Sequence, residues 1–231
     1  MSTYFHDLLN VIFPELCSGC GNRLYKNEKH ICLPCVSNLP LTHFCKDLEN
    51  PVYKIFWGRV NIEFASAFLY FSAKGIVQHM IHQLKYKGNR EIGIHLGKIF
   101  GNELIQCEHF KNIDFIVPVP LHPSKEKKRG YNQSEIIGLG LSQSMNIPLN
   151  TDGFGRKKFT ETQTKKTRYK RWENVDSIFK VSQKGAFENK HVLLVDDVIT
   201  TGATIEACAQ EILKEQNARV SVVALACAMH I

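Results

Sequence analysis

The chain contains no long apolar run and no recognisable secretion signal. Of its 231 residues, 44% are hydrophobic and 22% are charged, which is ordinary for a globular protein. No apolar stretch approaches the roughly 20 residues that a transmembrane helix needs. Residues 1–16 carry apolar side chains at helical spacing but lack a basic segment and a small-residue cleavage site. The sequence therefore predicts a cytoplasmic protein without a membrane span, beginning with a short docking helix.

The eight cysteines do not indicate a disulfide framework, because nothing in the sequence points to an oxidising compartment. Cys17 and Cys20 form one CxxC hook, and Cys32 and Cys35 form a second. Paired thiolates at this spacing build the tetrahedral site that zinc prefers, whereas a redox role is less expected of two hooks in a short polar segment. Residues 1–50 are thus predicted to be a structural zinc-binding unit. The other four cysteines are expected to be unpaired core or interface residues: Cys45, Cys107, Cys208 and Cys227.

A buried strand that ends in two carboxylates organises the rest of the chain. The apolar run 192–195 predicts a strand inside a parallel sheet, and Asp196 and Asp197 follow it. A small turn then opens a helical pattern, and it consists of Thr200, Thr201, Gly202, Ala203 and Thr204. Free N–H groups at a helix start favour anions, while carboxylates only accept hydrogen bonds and suit vicinal hydroxyls. The stretch predicts a ribose 5-phosphate site; the alternative is a simple capped turn with solvated aspartates.

The remaining pattern is that of an α/β domain over residues 51–231. Apolar strands are predicted at 61–71, 113–119 and 220–228, with helical periodicities between them. This alternation predicts a mostly parallel sheet with helices on both faces, which the last strand closes. Residues 151–187 have no strong period, and a loop of this length in a compact domain indicates a lid or hood.

The net charge of +7 is concentrated in one region. Between residues 122 and 171 there are twelve Lys and Arg against four Asp and Glu. Such a run is usually a solvated loop, but it also attracts a polyphosphate substrate or a nucleic acid. The nucleic-acid interpretation ranks lower, because only Phe159, Tyr169 and Trp172 accompany the basic residues of the predicted lid.

Residues 192–204 closely resemble the phosphoribosyl pyrophosphate (PRPP) signature of type I phosphoribosyltransferases. Over nearly its whole length the chain also resembles the ComF/GntX family of amidophosphoribosyltransferase-like proteins. Besides the two hooks, this likeness rests on segments 84–88, 117–123 and 129–134. The lid is similar to the flexible loop of glutamine PRPP amidotransferase, but the glutaminase domain is missing. The resemblance implies a type I phosphoribosyltransferase fold with a small zinc unit in front.

The resemblance also implies a role for each site residue. Asp196 and Asp197 would accept the ribose hydroxyls, the turn from Thr200 to Thr204 would hold the 5-phosphate, and Lys85 would join the two aspartates in catalysis. The pyrophosphate would lie against Pro120, Leu121, His122 and Arg129. Mg²⁺ would accompany PRPP and stabilise the leaving pyrophosphate. Loss of zinc is expected to unfold residues 1–48 and to leave PRPP binding largely intact.

Family members are associated with DNA uptake in competence or with carbon-source use, and their acceptor is not established. Three hypotheses follow from the resemblance. The first is a phosphoribosyltransferase acting on an amine, ammonia or a nucleobase. The second is a PRPP-binding sensor without turnover. The third is an accessory protein that handles single-stranded DNA, with the DNA or a competence-machinery protein as partner; oligomerisation is left open.

Overall fold

The computed structural model describes residues 14–156 and 178–228. Most of the predicted docking helix, and the predicted hood between residues 157 and 177, lie outside these ranges. Within them, no helix is long and apolar enough to cross a membrane.

A four-stranded parallel sheet forms the centre of the molecule, with strand order β1-β6-β5-β2. Its strands are β1 (Phe64–Phe71), β2 (Phe115–Pro118), β5 (His191–Ile199) and β6 (Arg219–Ala228). In the described residues β3 (Phe154–Arg156) and β4 (Phe179–Val181) form a separate antiparallel pair. The predicted interior position of residues 192–195 is confirmed, since β5 pairs with a strand on each side. The prediction that the last strand closes the sheet is wrong, because β6 lies between β1 and β5. Its residues are apolar on both faces, and an interior position buries both faces and pairs both edges.

Helices cover both faces of this sheet, as predicted. They are α1 (Leu33–Ser37), α2 (Pro51–Lys54), α3 (Ile76–Tyr86), α4 (Arg90–Leu104), α5 (Pro123–Arg129), α6 (Gln133–Met145) and α7 (Ala203–Ile212). Helices α3, α4 and α6 pack on one face, and α2 and α7 pack on the other.

The side chains of β5 alternate between these two layers. Leu193 and Val195 join the layer of α3, α4 and α6, whereas Val192 and Leu194 join the layer of α7. All four are fully buried, and each contributes about 1.5–3 kcal/mol by leaving water. The strand that carries the two aspartates is therefore held from both sides.

The four-cysteine segment packs directly on the sheet domain. Ile31 and Cys35 share a buried cluster with Phe68 of β1. The buried Asn50 amide donates to the carbonyl oxygens of Phe44 (3.3 Å) and Ala65 (3.0 Å), and so fixes the connection. The predicted boundary near residue 50 thus falls at a tightly bonded junction.

Cys45 and Cys107 form a disulfide, so the expectation that both are unpaired is wrong. Cys45 lies in a 3₁₀ turn, Phe44–Lys46, and Cys107 follows α4, so packing of these elements brings the two Cα atoms within 6.0 Å. Their separation of 62 residues hides this proximity in the sequence. Cys208 and Cys227 are free and buried, as predicted.

Candidate functional site

A cleft of about 190 Å³ opens at the carboxyl edge of the sheet, where β5 and β2 end. It brings together eight of the residues predicted to form the site: Lys85, Pro120, Leu121, His122, Arg129, Asp196, Asp197 and Thr204. A smaller adjoining pocket is lined by the rest of the predicted phosphate turn, Thr200, Thr201, Gly202 and Ala203. Ligands of open α/β sheets bind at this edge, because the loops that follow the strands converge there.

Asp196 and Asp197 lie within β5, three and two residues before it ends at Ile199, and both are partly buried. The strand therefore extends further than the apolar run 192–195 predicted. Asp196 Oδ1 accepts hydrogen bonds from Ser134 Oγ at 3.0 Å and from the Asp197 backbone N–H at 2.8 Å. Burial, with the neighbouring Asp197 charge, raises the pKa of Asp196 to about 7. Near neutral pH this carboxyl group therefore gains or loses a proton readily, and a cationic ligand would favour its ionised form.

Lys85 lies in the last turn of α3, and its ammonium group lines the cleft. Its Nζ is 2.9 Å from Asp197 Oδ1, and both side chains are more than four-fifths shielded from solvent. Lys85, which the resemblance placed beside the two aspartates in catalysis, is thus in the cleft, and its ion-pair partner is Asp197. A ligand that hydrogen-bonds Asp197 competes with Lys85 for that carboxylate.

The turn before α7 is shaped for close backbone approach. Gly202 adopts a left-handed φ of 72°, and a Cβ there would lie 2.8 Å from Ile55 Cγ2, so only glycine fits. Arg59 Nη1 donates to the Thr201 carbonyl oxygen at 2.9 Å and holds the turn from outside. Among the described residues no side chain caps α7. Its first N–H groups are therefore free to bind an anion.

The wall facing β5 is fixed by a chain of buried polar contacts. Asn132 caps α6 through the Ser134 backbone N–H, and its amide donates to the Val119 carbonyl oxygen at 3.0 Å. The Arg129 guanidinium donates to Gln133 Oε1 and lies 5.3 Å from the centre of the Tyr86 ring. These contacts hold the basic end of α5 over the cleft.

Five lining residues were not predicted to belong to the site: Val119, Lys125, Gln133, Ser134 and Arg156. Gln133 and Ser134 are part of the segment 129–134 that carried the family resemblance, but their types alone indicated no ribose or phosphate role. Arg156 ends β3 and donates to the Pro120 carbonyl oxygen at 3.1 Å, which places the base of the predicted hood against the cleft.

The four predicted metal ligands form a second polar centre. The Sγ atoms of Cys17, Cys20, Cys32 and Cys35 lie within 4.8 Å of one another, and those of Cys20 and Cys32 are 3.6 Å apart. A tetrahedral ion with bonds of about 2.3 Å places its sulfurs about 3.8 Å apart, so the cluster fits such an ion. Burial raises the pKa of Cys17, but N–H groups of Cys20, Cys32 and Gly19 outweigh it and lower the pKa to about 6. The cluster therefore contains one thiol that ionises below neutral pH.

The chain is similar to proteins of known family. Residues 136–230 match the phosphoribosyl transferase domain family. DNA utilization protein YhgH of Escherichia coli K12 is 29% identical over 216 residues, which are 90% of this chain and 88% of that protein. Competence protein ComFC of Bacillus subtilis is 26% identical over 204 residues, 88% of this chain and 80% of ComFC. The names of these relatives agree with the resemblance to ComF-like proteins that the sequence motifs indicated.

The matched domain runs from α6 to β6 and contains the aspartates, the phosphate turn and α7. The type I phosphoribosyltransferase fold predicted for this part of the ComF-like chain is therefore confirmed. Among solved structures, glutamine PRPP amidotransferase from B. subtilis, complexed with ADP and GMP, is 18% identical with a TM-score of 0.44. The match covers 62% of this chain and 30% of that one.

Proposed function

We propose that the cleft binds PRPP with Mg²⁺ and transfers its 5-phosphoribosyl group to an amine, ammonia or a nucleobase, with release of pyrophosphate. The observation that carries this proposal is the convergence of separately predicted segments on one cleft. Four separate parts of the chain line the cleft and its adjoining pocket: the aspartates with the phosphate turn that follows them, the loop 120–122, Lys85 and Arg129. Each part offers a different chemistry, and together they match a phosphorylated ribose that carries a pyrophosphate.

In this proposal the acidic residues of the cleft bind the ribose hydroxyls, and its basic residues and free N–H groups bind the phosphates. Asp196 and Asp197 accept the ribose hydroxyls, and the N–H groups at the start of α7 donate to the 5-phosphate. Once the hydroxyls occupy Asp197, the Lys85 ammonium turns to the pyrophosphate, where Arg129 adds a second positive charge. Mg²⁺ supplies further charge stabilisation for the leaving pyrophosphate. The carboxylates also stabilise positive charge that develops on the ribose as the bond to pyrophosphate breaks.

We further propose that zinc is the ion held by the four cysteines. A closed set of four sulfur ligands, here with Cys17, Cys32 and Cys35 buried and Cys20 exposed, is typical of structural zinc, which needs no open coordination position. The unit 1–50 then serves the domain 51–231 as a structural element. Metal analysis of the purified protein tests this, with one zinc per chain as the expected result.

Calorimetry with PRPP and Mg²⁺ tests the main proposal. The parent is expected to bind PRPP, and a variant with both Asp196→Asn and Asp197→Asn is expected to bind it much more weakly. Asp152→Asn removes an exposed carboxylate outside the cleft and is the matched control. Absence of measurable PRPP binding by the parent contradicts the proposal. Release of pyrophosphate on addition of ammonia, amines or nucleobases then separates an enzyme from a sensor that only binds.

A second candidate is the handling of single-stranded nucleic acid, and an exposed patch beside the cleft favours it. Tyr86 is 57% exposed and lies next to the Arg129 guanidinium. Lys87 follows it, and α5 adds exposed lysines at 125, 127 and 128. An aromatic ring among cations is the arrangement on which bases stack. The names of the relatives, a DNA utilization protein and a competence protein, agree with this candidate.

Binding of an oligonucleotide at two salt concentrations tests the second candidate. Tyr86→Ala is expected to cost about 1–3 kcal/mol of binding free energy, because the ring no longer stacks on a base. Replacing Lys127 and Lys128 by Ala is expected to flatten the salt dependence by about 0.7 for each phosphate that the protein no longer neutralises. Lys98 and Lys184 are exposed lysines outside the cleft and provide the control pair. Equal effects of the two lysine pairs would assign the binding to general charge and not to this patch.

A further inference from the structure

We propose that the four-cysteine unit positions Lys85 in the cleft, through hydrogen bonds of His79 and Asn89 to the first CxxC hook. This inference rests on the proposed PRPP site and assigns a task to residues outside it. His79 and Asn89 lie on either side of Lys85 in the chain, and each contacts one of the two residues between Cys17 and Cys20. Metal occupancy and PRPP binding would then depend on each other.

The first link runs from α3 to the hook. His79 Nδ1 lies 3.2 Å from the carbonyl oxygen of Gly19. A carbonyl oxygen only accepts hydrogen bonds, so His79 donates through a protonated Nδ1. Gly19 is enclosed by the cluster itself, since a Cβ there would lie 3.1 Å from Cys35 Sγ. The geometry of the sulfurs therefore fixes the oxygen that His79 contacts.

The second link runs from the start of α4 to the same hook. Asn89 Nδ2 donates to Ser18 Oγ at 3.1 Å, and Ser18 is buried. The other end of the Asn89 amide, Oδ1, accepts from the Ile92 N–H at 3.3 Å and caps α4. One side chain thus joins the hook to α4, the helix that begins directly after the corner between α3 and α4.

The corner between these links carries Lys85. The N–H groups of Lys87 and Asn89 both donate to the carbonyl oxygen of Gln83, at 3.1 and 3.4 Å, so the corner is a short closed turn. Lys85 extends from it to Asp197, a residue 112 positions away in the chain. A displacement of the hook would shift the corner and separate the Lys85 ammonium from the cleft.

Coupling of this kind is reciprocal. If the metal-bound hook improves PRPP affinity by a given factor, PRPP improves metal affinity by the same factor, and such factors are commonly about 5- to 150-fold. The contacts of the hook therefore change the expectation drawn from the sequence that loss of zinc leaves PRPP binding intact. They predict weaker PRPP binding after zinc loss, even while the sheet stays folded.

The decisive variants break the links and leave all four cysteines in place. Ser18→Ala combined with His79→Ala is expected to keep one zinc per chain and to bind PRPP with Mg²⁺ at least fivefold more weakly by calorimetry. When His79 is replaced by Asn instead of Ala, most of the PRPP affinity is expected to return, because the Asn amide N–H can donate in place of the ring N–H. His82→Ala removes an exposed histidine from the same helix and is the control.

Two further measurements separate this inference from the proposed function. Zinc competition with a chelator is expected to show tighter zinc in the presence of PRPP for the parent only, with Mg²⁺ alone as the blank. Hydrogen exchange of residues 84–92 without ligand is expected to be faster in the double variant. Unchanged PRPP affinity in the zinc-loaded double variant overturns the inference. If the parent binds no PRPP, the proposed function fails, and unchanged exchange at 84–92 then overturns the inference independently.

Discussion

The four-cysteine cluster and the cleft are polar centres built in opposite ways. The ligands of the cluster come from one segment of nineteen residues, Cys17 to Cys35, and meet through two local hooks. The groups of the cleft come from segments between Lys85 and Thr204, and they meet only because a buried parallel sheet aligns its strand ends. The zinc proposed for the first centre would hold its ligands together, whereas apolar burial holds the second centre together. The two centres should therefore be disrupted by different treatments.

Removal of the metal is expected to have the largest effect and to act on the cluster first. Apparent binding free energies of structural zinc are about 10–16 kcal/mol in zinc-finger peptides, and for a site of this kind they are folding free energy. Treatment with a strong chelator is therefore expected to expose residues 14–50 to protease while the sheet remains folded by circular dichroism. Cys227→Ala, outside the cluster, should respond like the parent. Survival of the protease-resistant segment without metal would contradict the comparison.

Loss of both cleft carboxylates is expected to have the next largest effect. Asp196→Asn with Asp197→Asn removes the charge-assisted part of two hydrogen bonds to the ribose hydroxyls, about 1.5–3 kcal/mol each. Calorimetry with ribose 5-phosphate measures the loss without a contribution from the pyrophosphate. Zinc content should not change, because the cluster is built from other residues. Unchanged affinity for ribose 5-phosphate in a folded variant would show that the aspartates have only a structural role.

The stability of the protein is expected to depend on pH through a carboxyl group of the cleft. The pKa of Asp196 is raised from its usual 3.8 to about 7 by burial and by Asp197. Between these values the native state binds more protons than the unfolded state, so this group's contribution to stability falls as pH rises from about 4 to 7. The decline is at most about 1.4 kcal/mol per pH unit.

Urea unfolding at several pH values checks this prediction. Asp196→Asn is expected to remove the decline between about pH 4 and 7. Asp114→Asn is the control, because the His191 N–H lowers the pKa of Asp114, whose stabilisation is lost only as pH falls below its usual range. A parallel decline in parent and Asp196→Asn would contradict the assignment.

The smallest expected effect concerns the backbone of the phosphate turn. Gly202→Ala places a Cβ against Ile55 in a left-handed conformation, whereas Gly185 has a similar φ of 84° and no contact closer than 3.6 Å. Both substitutions incur the conformational cost of about 1–2 kcal/mol. Gly202→Ala should destabilise more than Gly185→Ala and should also weaken ribose 5-phosphate binding. Equal destabilisation of the two variants would show that the turn has room to adjust.

Most of the cleft was predictable because its signals are local in the sequence. The apolar run 192–195, the aspartates and the Thr-rich turn are contiguous, and a parallel strand buried on both faces has a recognisable pattern. The hooks are equally local, since four cysteines at fixed spacing identify their own partners. The loop 120–122 follows a predicted strand, a position that lines the ligand crevice of such sheets. The family resemblance added Lys85 and assigned the pyrophosphate to this loop.

Contacts between distant segments could not be predicted from the sequence. Arg59 supports the phosphate turn from 142 residues away, and its neighbours in the chain carry no phosphate-binding pattern. The disulfide of Cys45 and Cys107 and the links of His79 and Asn89 to the hook depend on how α3 and α4 pack. The interior position of β6 could not be predicted either, because hydrophobic periodicity does not encode the order of strands in a sheet.

The interior position of β6 has a consequence for how the molecule is made. During synthesis β1, β2 and β5 all leave the ribosome before β6, yet β1 and β5 have no common neighbour until β6 lies between them. Until then the nascent chain presents two unpaired apolar strand edges, which are templates for association with other chains. The pairing of β1 with β6 also spans more than 150 residues, and closing a loop of this length slows folding. Newly made chains should therefore depend on chaperones more than the stability of the finished sheet suggests.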